Sequence, residues 1–147
     1  MKISPLTKEA IEAVFSDLSE VSEKDMEFFN LTFDEMKGGF TERIGEPFCV
    51  AFYTDEGQCC ALLMMVLIDI NRWRAYFVNT RKNFSQIAVA LTKFLKGISN
   101  SIIIKDRGYI EFLSTYRDGK PYRWFSSMGF QFQYQKGNSY LYTKQAR

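Results

Sequence analysis

Residues 59–70, CCALLMMVLIDI, form an apolar run broken only by Asp69. A strand with one wet face alternates apolar and polar residues, so a run this long and continuous belongs to a central strand covered on both faces. That requirement constrains the fold more than any other feature of the chain. The flanks agree with it. Phe48, Val50 and Phe52 alternate with Cys49, Ala51 and Tyr53, and Asp55-Glu56-Gly57 supplies a turn into the run. Asn71-Arg72 supplies a second turn, after which apolar residues recur at alternate positions from Trp73 to Thr80. A three-strand meander is therefore predicted in the middle of the protein.

Helical periodicity supplies the covering layers. Met1 to Pro5 reads as a short first strand, and Thr7 then caps a helix whose Ile11, Val14, Phe15 and Leu18 recur at helical spacing. A second helical region is predicted to open at Ser22 with Asp25 three residues on, and to restart at Thr32 with Glu35 toward Met36. Gly38-Gly39 should weaken or end it. After the meander, Phe84, Ile87, Ala88, Leu91, Leu95, Ile98 and Ile102 mark the longest helix, with Gly108 as its cap and Gly97 as a kink or early stop. Tyr109 to Thr115 reads as a strand and Pro121 to Met128 as a helix with proline at its favoured first position. Phe130 to Tyr134 and Ser139 to Thr143 then form a hairpin across Lys136-Gly137-Asn138.

The bulk numbers suit one domain over 1–147: 46% hydrophobic and 24% charged residues can bury a sizeable core without disulfides or metal. A net charge of +2, with Lys and Arg scattered along the chain, leaves no footprint for nucleic acid. Cys49, Cys59 and Cys60 lie in strand-like runs without metal-ligand spacing, and there is no histidine. They read as small buried hydrophobes of a reducing compartment, and no metal site is expected. Imidazole chemistry is excluded, so proton transfer has to use a carboxylate, tyrosine, lysine, cysteine or water. No signal peptide is expected in MKISPLTKEAIEAVF, and the run from Ala61 to Ile68 is too short to span a bilayer. Aromatics make up 16% of the residues; they either fill a strand-heavy core or partly face a partner.

The segment Pro121 to Phe132, PYRWFSSMGFQF, resembles the carboxyl-terminal signature of the Gcn5-related N-acetyltransferase (GNAT) superfamily, in which a final core helix carries an aromatic pair, here Trp124-Phe125, and turns at a glycine, Gly129, into a strand. The element order is also that of the family. The resemblance implies a single α/β (α+β) domain, with a mixed, mostly antiparallel sheet of six to seven strands flanked by about four helices. Within the superfamily the chain is most similar to short phage proteins related to the internal virion protein A of T7-like podophages.

In that family the coenzyme pyrophosphate lies at the amino terminus of the helix after the fourth strand, where free amides and the helix dipole meet the phosphates. The resemblance places Arg81, Lys82, Ser85, Gln86, Ile87 and Ala88 there, with Phe84 and Gln86 at positions where glycines are usual. The basic pair with Ser85 suits phosphates; equally, Asn83 or Ser85 simply caps the helix and the basic residues are solvated. Phe125 aligns with the tyrosine that protonates the departing thiolate, a role phenylalanine cannot fill, and Tyr122, one turn earlier, is the substitute. Asp69 is the candidate general base, with Glu46 behind it, although either also suits a turn.

These departures lead to two functional expectations. The first is a non-catalytic phage GNAT-like protein, in the host cytoplasm or the virion, that works through a protein partner and needs no cofactor. The second is an acetyl-CoA-dependent N-acetyltransferase acting on an amine of a small molecule or protein. For a binding module, Phe29, Phe33 and Met36 are expected to form a buried stripe, leaving Phe28 and Phe40 exposed to the partner.

Overall fold

The hydroxyl of Thr7, held in extended backbone, accepts a hydrogen bond from Ala10 N, and helix α1 (Lys8–Phe15) begins there as its sequence requires. Ala10, Ile11, Val14 and Phe15 form its buried face. The computed structural model describes residues 2–70, 72–82, 89, 91–97, 109–114, 126, 131–136 and 139–145; the side chains of Phe28, Tyr109, residues 112–114 and residues 131–145 lie outside that description.

Helix α2 (Glu20–Phe28) is capped three residues before the expected position at Ser22. Ser19 is the N-cap, accepting from Ser22 N, and the acidic Glu20 and Glu23 of the first turn complement the helix dipole. Ser22 is drawn into a contact with another element, described below. Helix α3 (Phe33–Glu42) opens on the reciprocal Thr32 and Glu35 capping box that the sequence announces. It does not end at Gly38-Gly39. The helix continues to Glu42 because Phe40 is completely buried beyond the glycines, and a side chain at Gly39 would meet Met64 Cε at 3.4 Å. Tertiary packing here outweighs the helix penalty of two glycines, about 1 kcal/mol each.

The aromatic stripe is corrected for the same reason that α2 and α3 are separate helices. Asn30 takes a left-handed φ of 55° between them, so the helical phase is reset after Phe29. Met36 and Phe40 form the buried pair of α3, Phe29 is half-buried, and Phe33 is 43% exposed. Phe40 is thus core, packed edge-on to Phe15 at 5.9 Å.

Two compact units are distinguished, one of residues 1–65 and 76–91, the other of residues 66–75 and 92–147. In the first, β1 (Lys2–Pro5) pairs antiparallel with β2 (Val50–Tyr53), and β2 pairs antiparallel with β3 (Cys59–Asp69) across a register shift at Phe52/Tyr53. The last residues of β4 (Arg72–Asn79) complete the order β1-β2-β3-β4. Leu6, Ile11, Phe40, Phe52, Leu62 and Leu63 are fully buried here. In the second unit, the first residues of β4 run parallel to β5 (Tyr109–Ser114). Beyond β5, β7 (Ser139–Gln145) and β6 (Gln131–Lys136) add antiparallel pairs, giving the order β4-β5-β7-β6. Residues 91–97 are helical; Leu91, counted with the first unit, and Leu95, with the second, are buried.

The apolar run of β3 is covered only in part. Cys60 to Met65 are buried in succession, whereas Leu67, Ile68 and Ile70 are exposed. Cys49 and Cys60 are buried free thiols and Cys59 is half-buried; burial pushes the Cys59 thiol up to about 11.

Candidate functional site

Strand β4 ends in a turn that the chain builds with care. Thr80 N donates to Cys60 O at 3.0 Å, and the Thr80 hydroxyl, itself buried, donates to Lys82 O at 2.5 Å. The connection between α1 and α2 closes over this turn. Leu18 and Thr80 form an antiparallel bridge, Arg81 N donates to Asp17 O at 3.0 Å, and Arg81 Nε donates to Leu18 O at 3.0 Å. The guanidinium also lies 3.8 Å from Glu23, with its side chain 65% exposed. Lys82 is exposed and forms no ion pair among the described residues.

Helix α2 is fastened to the same strand at two points. Near its start, Asn79 Oδ1 accepts from Ser19 Oγ at 2.6 Å and from Ser22 Oγ at 2.9 Å, and Asn79 N donates to Ser22 Oγ at 3.0 Å. At its end, the Phe29 ring meets the Tyr76 ring edge-on, with centroids 5.0 Å apart. Asp25 sits between these points, three residues after Ser22 and four before Phe29, on the same stripe of the helix. Its carboxyl is half-buried and makes no hydrogen bond or ion pair among the described residues. Burial pushes that carboxyl up to about 7, against an ordinary value of 3.8. Sequence reading assigned Asp25 to a helix cap; the signal for a different role was its spacing from Ser22 and Phe29.

The other candidates stand apart from this arrangement. Asp69 is exposed at the end of β3, and its Oδ1 accepts from Ile70 N at 2.8 Å, as a turn residue does. Glu46 is exposed and paired with Arg43 at 3.2 Å. In the second unit, Glu111 on β5 is 1% exposed and takes Arg72 Nε at 3.1 Å and Arg74 Nη2 at 2.6 Å. That pairing satisfies a buried carboxylate with two guanidiniums and holds it as a structural anion. Phe84, Ser85, Gln86, Ile87 and Ala88, and likewise Tyr122, Trp124, Phe125 and Gly129, lie outside the described residues. Among the described residues no group of carboxylates and thiols is placed to hold a metal ion, and no helix is long and apolar enough to cross a membrane.

No protein-family model matches this chain. No curated protein matches it in sequence. Solved structures do match, over nearly its whole length. The chain is similar to Ard1 from Thermoplasma volcanium, with a TM-score of 0.69 at 10% identity over 97% of this chain and 95% of that one. It is similar to an aminoglycoside 6'-acetyltransferase type Ii, with a TM-score of 0.65 at 12% identity over 99% and 97% of the two chains. A GNAT-family acetyltransferase from Bacillus anthracis gives a TM-score of 0.64 at 14% identity over 97% and 93%. At these identities the likeness concerns the fold, and the fold is that of the GNAT acetyltransferases: a mixed, mostly antiparallel sheet with helices, in this element order.

Proposed function

We propose that this chain is an acyl-CoA-dependent N-acyltransferase that acts on an amine. The observation that carries the reading is the carboxyl end of β4, where Thr80 to Lys82 are pinned by the α1–α2 connection and two cations, Arg81 and Lys82, remain exposed. In the first unit β4 stands at the end of the order β1-β2-β3-β4 and leads into that turn. An extended thioester arm with amide groups suits a strand edge, and a pyrophosphate suits adjacent cations and free helix amides. Arg81, Lys82, Ser85, Gln86, Ile87 and Ala88 would hold the pyrophosphate, and Phe125 would flank the coenzyme. Tyr122 would protonate the departing thiolate. Asp69, bound to its own turn, is the weaker base in this scheme. The named acetyltransferases that share the fold support the reading.

A second reading has support of its own: a phage GNAT-like protein that works through protein contacts, in virion assembly or in the host cell. Phe84 and Gln86 stand where that family uses glycine, and Leu67, Ile68 and Ile70 expose an apolar strand end, Ile70 at 85%. Calorimetric titration with acetyl-CoA separates the two. Micromolar binding is expected for acyl transfer. A parent that does not bind, together with a Phe84→Gly variant that does, would show that the loop has lost its ligand and would favour the contact protein.

A further inference from the structure

A half-buried carboxyl without a partner is costly, since every hydrogen bond it would make to water has to be replaced. The chain tolerates this at Asp25 while satisfying its neighbours on both sides. Ser22 spends its hydroxyl on Asn79, and Phe29 rests on Tyr76. These two contacts lay one stripe of α2 along β4, the strand proposed above to carry the thioester. Asp25 occupies the interval between them, and its carboxyl has no partner among the described residues.

We propose that Asp25 receives the acceptor in this reaction: its carboxylate binds the ammonium group of an aliphatic amine and takes the proton whose loss frees the nitrogen lone pair for attack. The inference rests on the acyl-transfer reading for its second step and on the α2–β4 geometry alone for the first. The rings of Phe29 and Tyr76 extend the site, because their faces attract the cation and their bodies accompany an alkyl chain. Along this contact Ser22 and Phe29 of the helix meet Asn79 and Tyr76 of the strand, and of these four Tyr76 is the titratable one. Burial is the sole cause of the carboxyl's displacement to about 7, which leaves it able both to hold an ammonium and to accept its proton near neutral pH.

The step balances. Asp25 removes one proton from the ammonium; the neutral nitrogen forms a C–N bond to the carbonyl carbon of the acyl thioester, and the C–S bond breaks with its electron pair going to sulfur. Tyr122 gives its proton to the thiolate, forming the free thiol, and regains one from the second proton that leaves nitrogen, while Asp25 returns its own proton to water.

The test follows the carboxyl directly. Asp25 is observed by carbon NMR in the unaltered protein through a pH titration, with and without n-butylamine, and amine affinity is compared with that of Asp25→Asn. The expected result is a midpoint lowered by about one pH unit or more when amine is present, and amine binding at least tenfold weaker in the variant. An unmoved carboxyl resonance at saturating amine, or equal affinity in Asp25→Asn, overturns the assignment. The resonance of the parent decides the matter even where the variant is unstable. Acetyl-CoA is titrated into both proteins in parallel, and equal affinity is expected. A parent that binds amine at Asp25 but not acetyl-CoA overturns acyl transfer and keeps the amine site. One that binds acetyl-CoA while Asp25 ignores amine overturns the Asp25 assignment alone.

Discussion

Ser22 and Asn79 are bonded twice: the Ser22 hydroxyl donates to Asn79 Oδ1 at 2.9 Å and accepts from Asn79 N at 3.0 Å, across 57 residues of sequence. This exchange joins the first turn of α2 to the last residue of β4. Ser22 is 2% exposed, so its hydroxyl has no water in reserve. Ser22→Ala should therefore lower stability by about 1–3 kcal/mol, the range for stranding a buried polar group. Urea unfolding measures it. Glu23→Ala, on the exposed side of the same turn, should change little.

Phe40 is completely buried against Phe15, whereas Phe33, at 43% exposure, touches the same ring from outside at 5.3 Å. Phe40→Ala should cost about 3–5 kcal/mol, as deleted core aromatics do. Phe33→Ala should cost about 1 kcal/mol, the value of the edge contact. Equal midpoint shifts in denaturant for the two variants would contradict this placement.

Glu111 balances two guanidiniums from β4. Glu111→Ala leaves Arg72 and Arg74 without their anion, though both side chains retain some exposure, 36% and 24%, and regain part of their hydration. The expected loss is about 2–3 kcal/mol, below the value for a fully buried pair. Thermal unfolding checks it, and Arg72→Ala, which leaves Arg74 on the carboxylate, should lose less.

Asp25 makes the opposite prediction about stability. Its folded value of about 7 lies above the ordinary 3.8, so between those values the unfolded chain ionises while the folded carboxyl holds its proton. Stability from this group therefore falls as pH rises from about 4 to about 7, and the full penalty persists above that. A displacement of this size corresponds to at most about 4 kcal/mol. Asp25→Asn should melt higher than the parent at pH 8 and alike at pH 4. A variant that melts lower at pH 8 would mean the carboxylate has a favourable partner.

Much of the fold was legible residue by residue. Thr7 and the Thr32–Glu35 pair read as caps because capping is a local bond between near neighbours, and the meander read from its period of two. The aromatic stripe did not. Phe29, Phe33 and Met36 keep helical spacing on paper, but the chain turns at the left-handed Asn30 before restarting at the Thr32 cap, and the change of phase across that turn is not written in the spacing. Gly38-Gly39 misled similarly: local propensity argues for a stop, and burial of Phe40 overrules it.

The candidate site divides along the same line. Sequence alone determined that helices cover a central strand, that imidazole chemistry is absent, and that two cations follow the fourth strand, since each of these depends on residue type and short spacing. Only tertiary structure decided that Asp69 serves its own turn, that Glu111 is held by two arginines, and that Asp25 has no partner among the described residues on a helix laid along β4. A carboxyl's chemistry depends on what surrounds it, and the helix that carries Asp25 is set in place by Asn79 and Tyr76, some fifty residues farther along the chain.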